Sequence, residues 1–180
     1  CFGSLVLIAG TRIAGDWVAI PVMAPTALLV VAAVSHAARL SLWQPQRTTH
    51  NTLLWMMPVA YAWLPIAFAL RALAQHSLAG EAAWIHALTT GAISSFMLAM
   101  MMRSSLGHTG RPLVAGGVDM SAFLLLQLAA VIRVAAGFLS DAAYQPAIIV
   151  SGAIWTLAFF AFLLRYLPML LRPRIDGRPG

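Results

Sequence analysis

The sequence predicts an all-α fold, a polytopic transmembrane helical bundle, and three observations lead there. Of 180 residues, 61% are hydrophobic and only 9% charged, against roughly 25% charged residues in a soluble domain. The apolar residues fall in continuous runs, most of them near the ~20 residues a helix needs to cross the hydrocarbon core. Within the runs apolar and polar side chains do not alternate, so they read as helices rather than as strands of a closed barrel.

Cys1 to Ile13 is apolar but short, and reads as one partial span whose start is missing. Five complete spans follow. Trp17 to His36 is closed by Arg39 and Trp43; then come Thr52 to Leu70, Ala82 to Met102, Met120 to Leu139, and Ala142 to Leu164. Pro58 and Pro65 are expected to bend the Thr52 run without ending it, because neighbouring helices re-satisfy the backbone. Asp119 after Gly116 and Gly117 is placed to cap one helix, and Asp141 with Pro146 to open the last. Arg133 interrupts an apolar run and is expected to snorkel toward the interface. Residues 1–170 thus form one transmembrane domain, and 171–180 a polar, proline-rich and extended cytoplasmic tail.

Cys1 stands where an initiating methionine would, which reads as a fragment or else as a processed lipoprotein. A lone cysteine excludes an intrachain disulfide and a cysteine-rich metal site. The net charge of +6 comes from arginine alone. Alternating the loops across the membrane puts Arg39, Arg47, Arg103, Arg111, Arg165, Arg172, Arg174 and Arg178 on one side, and Arg12, Arg71 and Arg133 on the other. That asymmetry predicts a cytoplasmic C-terminus, with the lipid bilayer rather than nucleic acid as the partner of the charge. There is no phosphate-binding loop, no nucleotide-binding glycine pattern, no nucleophile elbow and no zinc-protease motif.

Chemistry concentrates in the stretch from Trp84 to Leu113. Ala83, Ala87, Gly91, Ser95 and Ala99 recur every four residues, a stripe that lets a helix or a flat ligand approach the backbone. Beside it Thr90, Ile93, Met97, Met100 and Met101 each fall within about 60° of His86 on a regular helix. A histidine below an apolar and thioether wall is what a b-type haem site requires, and also what helix packing around a hydrogen-bonded histidine would show. His108 lies between Gly107 and Gly110, which are expected to turn the chain and aim its imidazole inward. Arg103 and Arg111 are available there for anionic groups such as haem propionates, or simply set the topology. His86 and His108 are 22 residues apart, about 33 Å along a helix, so they cannot share one ion. His36 is expected on the side of His108, where the two could meet around one metal or haem. Trp63 and Trp155 lie near mid-span, where they line a cavity or pack the core.

The string Leu106-Gly107-His108-Thr109-Gly110-Arg111-Pro112-Leu113, preceded by His86 to Ala92, resembles the NnrS family of bacterial membrane proteins. Arg39-Leu40 with Trp43, Tyr61-Ala62-Trp63-Leu64, and the ending Pro173 to Gly180 match the same pattern. The resemblance covers nearly the whole chain and implies the C-terminal half of a protein about twice as long, whose N-terminal half would be its partner. It implies haem b and copper in the bacterial inner membrane, with nitric oxide as a small ligand, in denitrification and the response to nitrosative stress. On that pattern His86 and His108 are the first candidate ligands, with His36 next and Arg103 and Arg111 as supporting groups. One position departs: Pro58 stands where the pattern places a histidine shortly before Tyr61, which implies a lost or replaced ligand. Three activities stay open: a nitric-oxide-binding or nitric-oxide-converting oxidoreductase, a transporter of haem or copper using methionines such as Met97, Met100, Met101 and Met102 as soft ligands, and a subunit without a cofactor.

Overall fold

The computed structural model describes residues 23–177. Five helices there are long and apolar enough to cross a membrane, one for each complete span expected. They are α1 (Met23–Leu42), α2 (Thr52–Ala74), α3 (Glu81–His108), α4 (Gly117–Ala136) and α5 (Asp141–Leu170), with a 3-10 turn at Pro45–Arg47. The partial span Cys1 to Ile13 and the beginning of the next run, residues 17–22, lie outside the described residues.

Neighbours in sequence are neighbours in space. The α2–α3 and α4–α5 interfaces are the largest, α3 also touches α4 and α5, and α1 packs on α2. More than half of the buried apolar residues are alanines, among them Ala32, Ala60, Ala87, Ala99, Ala129 and Ala130. Large side chains such as Val34, Ile149, Phe160 and Leu164 point outward. A water-soluble core sorts these residues the other way. In lipid the tails are as apolar as leucine, so helices associate by close backbone approach, and small residues belong at the seams.

Local chemistry sets the ends. The Asn51 side chain accepts from the Leu53 and Leu54 amides and starts α2. Asp119 accepts from the Gly116 amide at 2.6 Å and closes the first turn of α4 as expected. Both prolines sit inside an unbroken α2. α1 runs past Arg39 to Leu42, with the Arg39 guanidinium over the Trp43 ring at 5.7 Å, so the charge is accommodated without ending the helix.

Arg133 is half-buried, and its Nη1 donates to the Ile148 carbonyl of α5 at 3.2 Å, a partner the sequence did not indicate. One expectation is corrected. The tail is not extended away from the bundle, since the Ile175 amide donates to the Thr109 carbonyl and Asp176 lies against Gly110.

A polar chain crosses the bundle between these ends. Trp63 Nε1 donates to Gln127 Oε1 at 2.8 Å, and Gln127 Nε2 donates to Ser95 Oγ at 2.8 Å. This links α2, α4 and α3 through groups that water cannot satisfy. Gln127→Leu is expected to lower stability by about 1–2 kcal/mol, because two buried polar groups lose their partner. Melting of the purified protein in detergent reads the effect, and an unchanged transition would contradict it.

Candidate functional site

His36 of α1 is the most enclosed of the described histidines, at 4% exposure. Its Nδ1 lies 2.7 Å from the Tyr61 hydroxyl of α2. The ring is stacked on Phe68 at 5.3 Å between centroids and tilted against Tyr61 at 5.6 Å. Its Nε2 is buried and has no hydrogen-bond partner. Beside it lies a cavity of about 200 Å³ bounded by Leu64, Ala67, Phe68, Arg71, Trp84 and Leu88. At this apolar space the Arg71 guanidinium sits over the Trp84 ring, 4.7 Å from its centroid. When the tyrosine oxygen accepts from Nδ1–H, Nε2 carries the lone pair, which is the form that binds a metal.

Helix α3 supplies the next candidate. His86 is half-buried and ends the regular first segment Glu81–His86, after which Ala87–Ile93 is wound as a π-helix. That winding changes the face predicted below His86. Met97 is 52% exposed and Met100 48%, so these two thioethers look outward rather than walling in the imidazole. An inserted π-turn shifts the downstream register by about one residue, or roughly 100°. The small-residue stripe, in contrast, is buried throughout. The flat group against it is the Trp63 indole, seated on Gly91, where an added Cβ would meet the ring at 2.4 Å.

His108 closes α3 with its side chain exposed, not turned inward. It lines an open cavity of about 330 Å³ with Met100, Arg103, Ser104, Gly107 and Leu113. Gly107 stays helical, and the turn is made by Gly110, whose φ of 71° suits glycine. Glycine is required there twice over, since a Cβ would stand 2.8–3.0 Å from the Asp176 carboxylate. Asp176 is held by a two-bond fork from Arg174, at 2.9 and 2.6 Å. Hydrogen bonding to Asp176 raises the already high Arg174 pKa, so the Arg174 side of the fork stays charged. Arg111 lies outside the His108 cavity, and its Nη1 is buried without a partner.

The three candidate histidines therefore fall in three places. His36 and His108 line cavities with no residue in common. Among the described residues no three His, Cys, Asp or Glu side chains group as metal ligands would. Sequence reasoning missed Tyr61 as the partner of His36, together with the Phe68, Arg71 and Trp84 walls. Its one available signal was that a tyrosine in mid-span needs a partner for its hydroxyl. Pro58 is buried one turn before Tyr61, at the position where a histidine was expected.

The family model described as NnrS protein matches residues 1–174 of the chain. No curated protein and no solved structure matches it.

Proposed function

The chain belongs to the NnrS family, and on that premise we propose a haem- or copper-binding inner-membrane protein of the nitric-oxide and nitrosative-stress response. It is a multi-pass membrane protein by its five spans, and the proposal places its C-terminus in the cytoplasm. The observation that carries the cofactor reading is His36, with Nδ1 fixed by Tyr61 and Nε2 buried, unpartnered and beside an apolar cavity.

The donor chemistry favours haem at this position. A protein copper site needs several ligands from the chain, whereas a haem iron brings four nitrogens and asks for one imidazole. His36 offers one, and among the described residues no cluster of three donors surrounds it. The 200 Å³ cavity admits a diatomic or the edge of a macrocycle. Pockets that bury whole ligands of that size run to roughly 300–1,000 Å³, so the group would extend beyond it. A bound haem or copper would supply a position for nitric oxide and a one-electron couple. The chain's own part is to hold the imidazole: Tyr61 sets its rotation and Phe68 its tilt, while Leu64, Ala67 and Leu88 keep water out. Arg71 and Trp84 form the polar edge, where an anionic substituent would find a cation. His108 with Arg103 offers a second, exposed position, and His86 a third at the start of the π segment; Arg111 is proposed only as a charge near the His108 loop.

Reduced and oxidised optical spectra of the full-length protein test the assignment. A b-type absorption lost in His36→Ala, and kept in His86→Ala and His108→Ala, is the expected pattern. Retention in a folded His36→Ala variant would move the ligand elsewhere. A well-folded, haem-supplied preparation without any haem absorption would end the haem reading, and elemental analysis for copper would then decide the alternative.

A further inference from the structure

We propose that Arg133 forms a membrane-embedded site for a planar two-oxygen anion, a carboxylate or an oxyanion of nitrite shape, between α3, α4 and α5. A cavity of about 320 Å³ opens there, bounded by Thr90, Arg133, Ser151, Gly152, Trp155 and Thr156. It shares no residue with the His36 cavity, so the inference stands apart from the cofactor proposal.

A guanidinium within a span is expensive unless it pairs, and such residues face cavities that carry ions or substrates. Arg133 is half-buried, and its one bond to a described residue is from Nη1 to the Ile148 carbonyl. That bond steadies the guanidinium plane but, being to a neutral carbonyl, does not itself neutralise the charge. Nε is buried without a partner. No described residue bonds the edge formed by Nε and Nη2, whose two parallel N–H donors match two oxygens of one flat anion.

The described carboxylates are engaged elsewhere. Asp119 pairs with Arg165 and Asp176 with Arg174, while Glu81 accepts from Trp84 Nε1 at 2.6 Å. Among the described side chains none neutralises Arg133. The cavity walls add selectivity. The Ser151 and Thr156 hydroxyls donate to the Ala129 and Gly152 carbonyls, so their protons are already committed. The Thr90 hydroxyl, engaged by no described residue, remains as a further donor from α3. Trp155, with its indole N–H on Ser94 at 3.3 Å, supplies a flat wall.

Calorimetric titration of the full-length protein in zwitterionic nanodiscs tests this, with sodium nitrite, sodium acetate and oleate against chloride at matched ionic strength. Saturable heat is expected for wild type. Arg133→Gln should weaken binding by about tenfold or more, and Arg133→Lys should weaken it too, because it keeps the charge and loses the fork. Saturation by nitrite and acetate alone assigns a diffusible anion; saturation by oleate, with acetate competing, assigns a membrane-borne carboxylate. Either supports the site. No saturable heat with any of the three would overturn it. So would wild-type affinity in Arg133→Lys, whose folding is checked by melting in case Arg133→Gln does not fold.

Discussion

Asp119→Ala is expected to destabilise the protein by about 3 kcal/mol, the low end for breaking a buried ion pair, because Arg165 keeps a quarter of its side chain exposed. Asp119 is fully buried, and its Oδ1 lies 2.8 Å from Arg165 Nε across the α4–α5 interface. The pair is an ion contact rather than an aligned hydrogen bond, since neither atom has a well-directed partner. The other oxygen, Oδ2, accepts from the Gly116 amide. Alanine therefore removes a counter-charge and a helix cap in one step. Asp119→Asn keeps an acceptor for the amide while losing the charge, and should fall between wild type and alanine. Replacing both members, Asp119→Leu with Arg165→Met, should recover much of the loss, because an apolar pair of similar volume needs no desolvation of charge. Melting of the purified variants in detergent gives the order. If Asp119→Ala melts with wild type, the pair does not hold α4 to α5.

The membrane architecture was legible because lipid leaves the chain few choices. Continuous apolar runs of fixed length cannot be satisfied by anything but helices, and the five complete runs became five helices. The boundaries were less legible. The helices run on beyond the apolar core, as α3 does to His108 and α5 to Leu170, where backbone bonds continue past the point at which hydropathy falls. The candidate site was legible as a set of residues and illegible as an arrangement. His36 looked like a cytoplasmic-side residue near Trp43. Its place beside Tyr61 and Phe68 depends on how α1 packs against α2, a contact between residues 25 and 32 positions apart. The expected methionine wall failed for a local reason. A 3.6-residue wheel assumes a regular helix, and no residue between Ala87 and Ile93 announces π-winding in its own chemistry. Arg174 and Asp176 read only as part of an extended polar tail, and their seat on Gly110 depends on a backbone turn that only the fold defines.

Gly91→Ala is expected to cost about 1–3 kcal/mol, the range for overpacking a filled core. Away from tertiary contacts the same change in a helix would stabilise by about 1 kcal/mol, so the sign itself is the test. Gly91 lies inside the π segment, and a Cβ would stand 2.4–2.7 Å from three atoms of the Trp63 ring. The indole cannot simply retreat, because its N–H is tied to Gln127. The winding and the stripe also explain each other. On a regular helix each step of four residues overshoots a full turn by about 40°, so Ala83 to Ala99 would drift by some 160° across the surface. Wider π-turns, at roughly 4.4 residues each, reverse that drift in the middle and return the stripe to one face. All five small residues are buried as a result. The clash should therefore couple Gly91 to Trp63 and to nothing on the lipid side. In a double-mutant cycle, Gly91→Ala should cost less in a Trp63→Ala background, since alanine lacks the Cγ, Cδ2 and Cε3 atoms that the added methyl overlaps. Strictly additive effects would mean that the helix, and not the indole, absorbs the added methyl, and that the π segment is not held in place by Trp63.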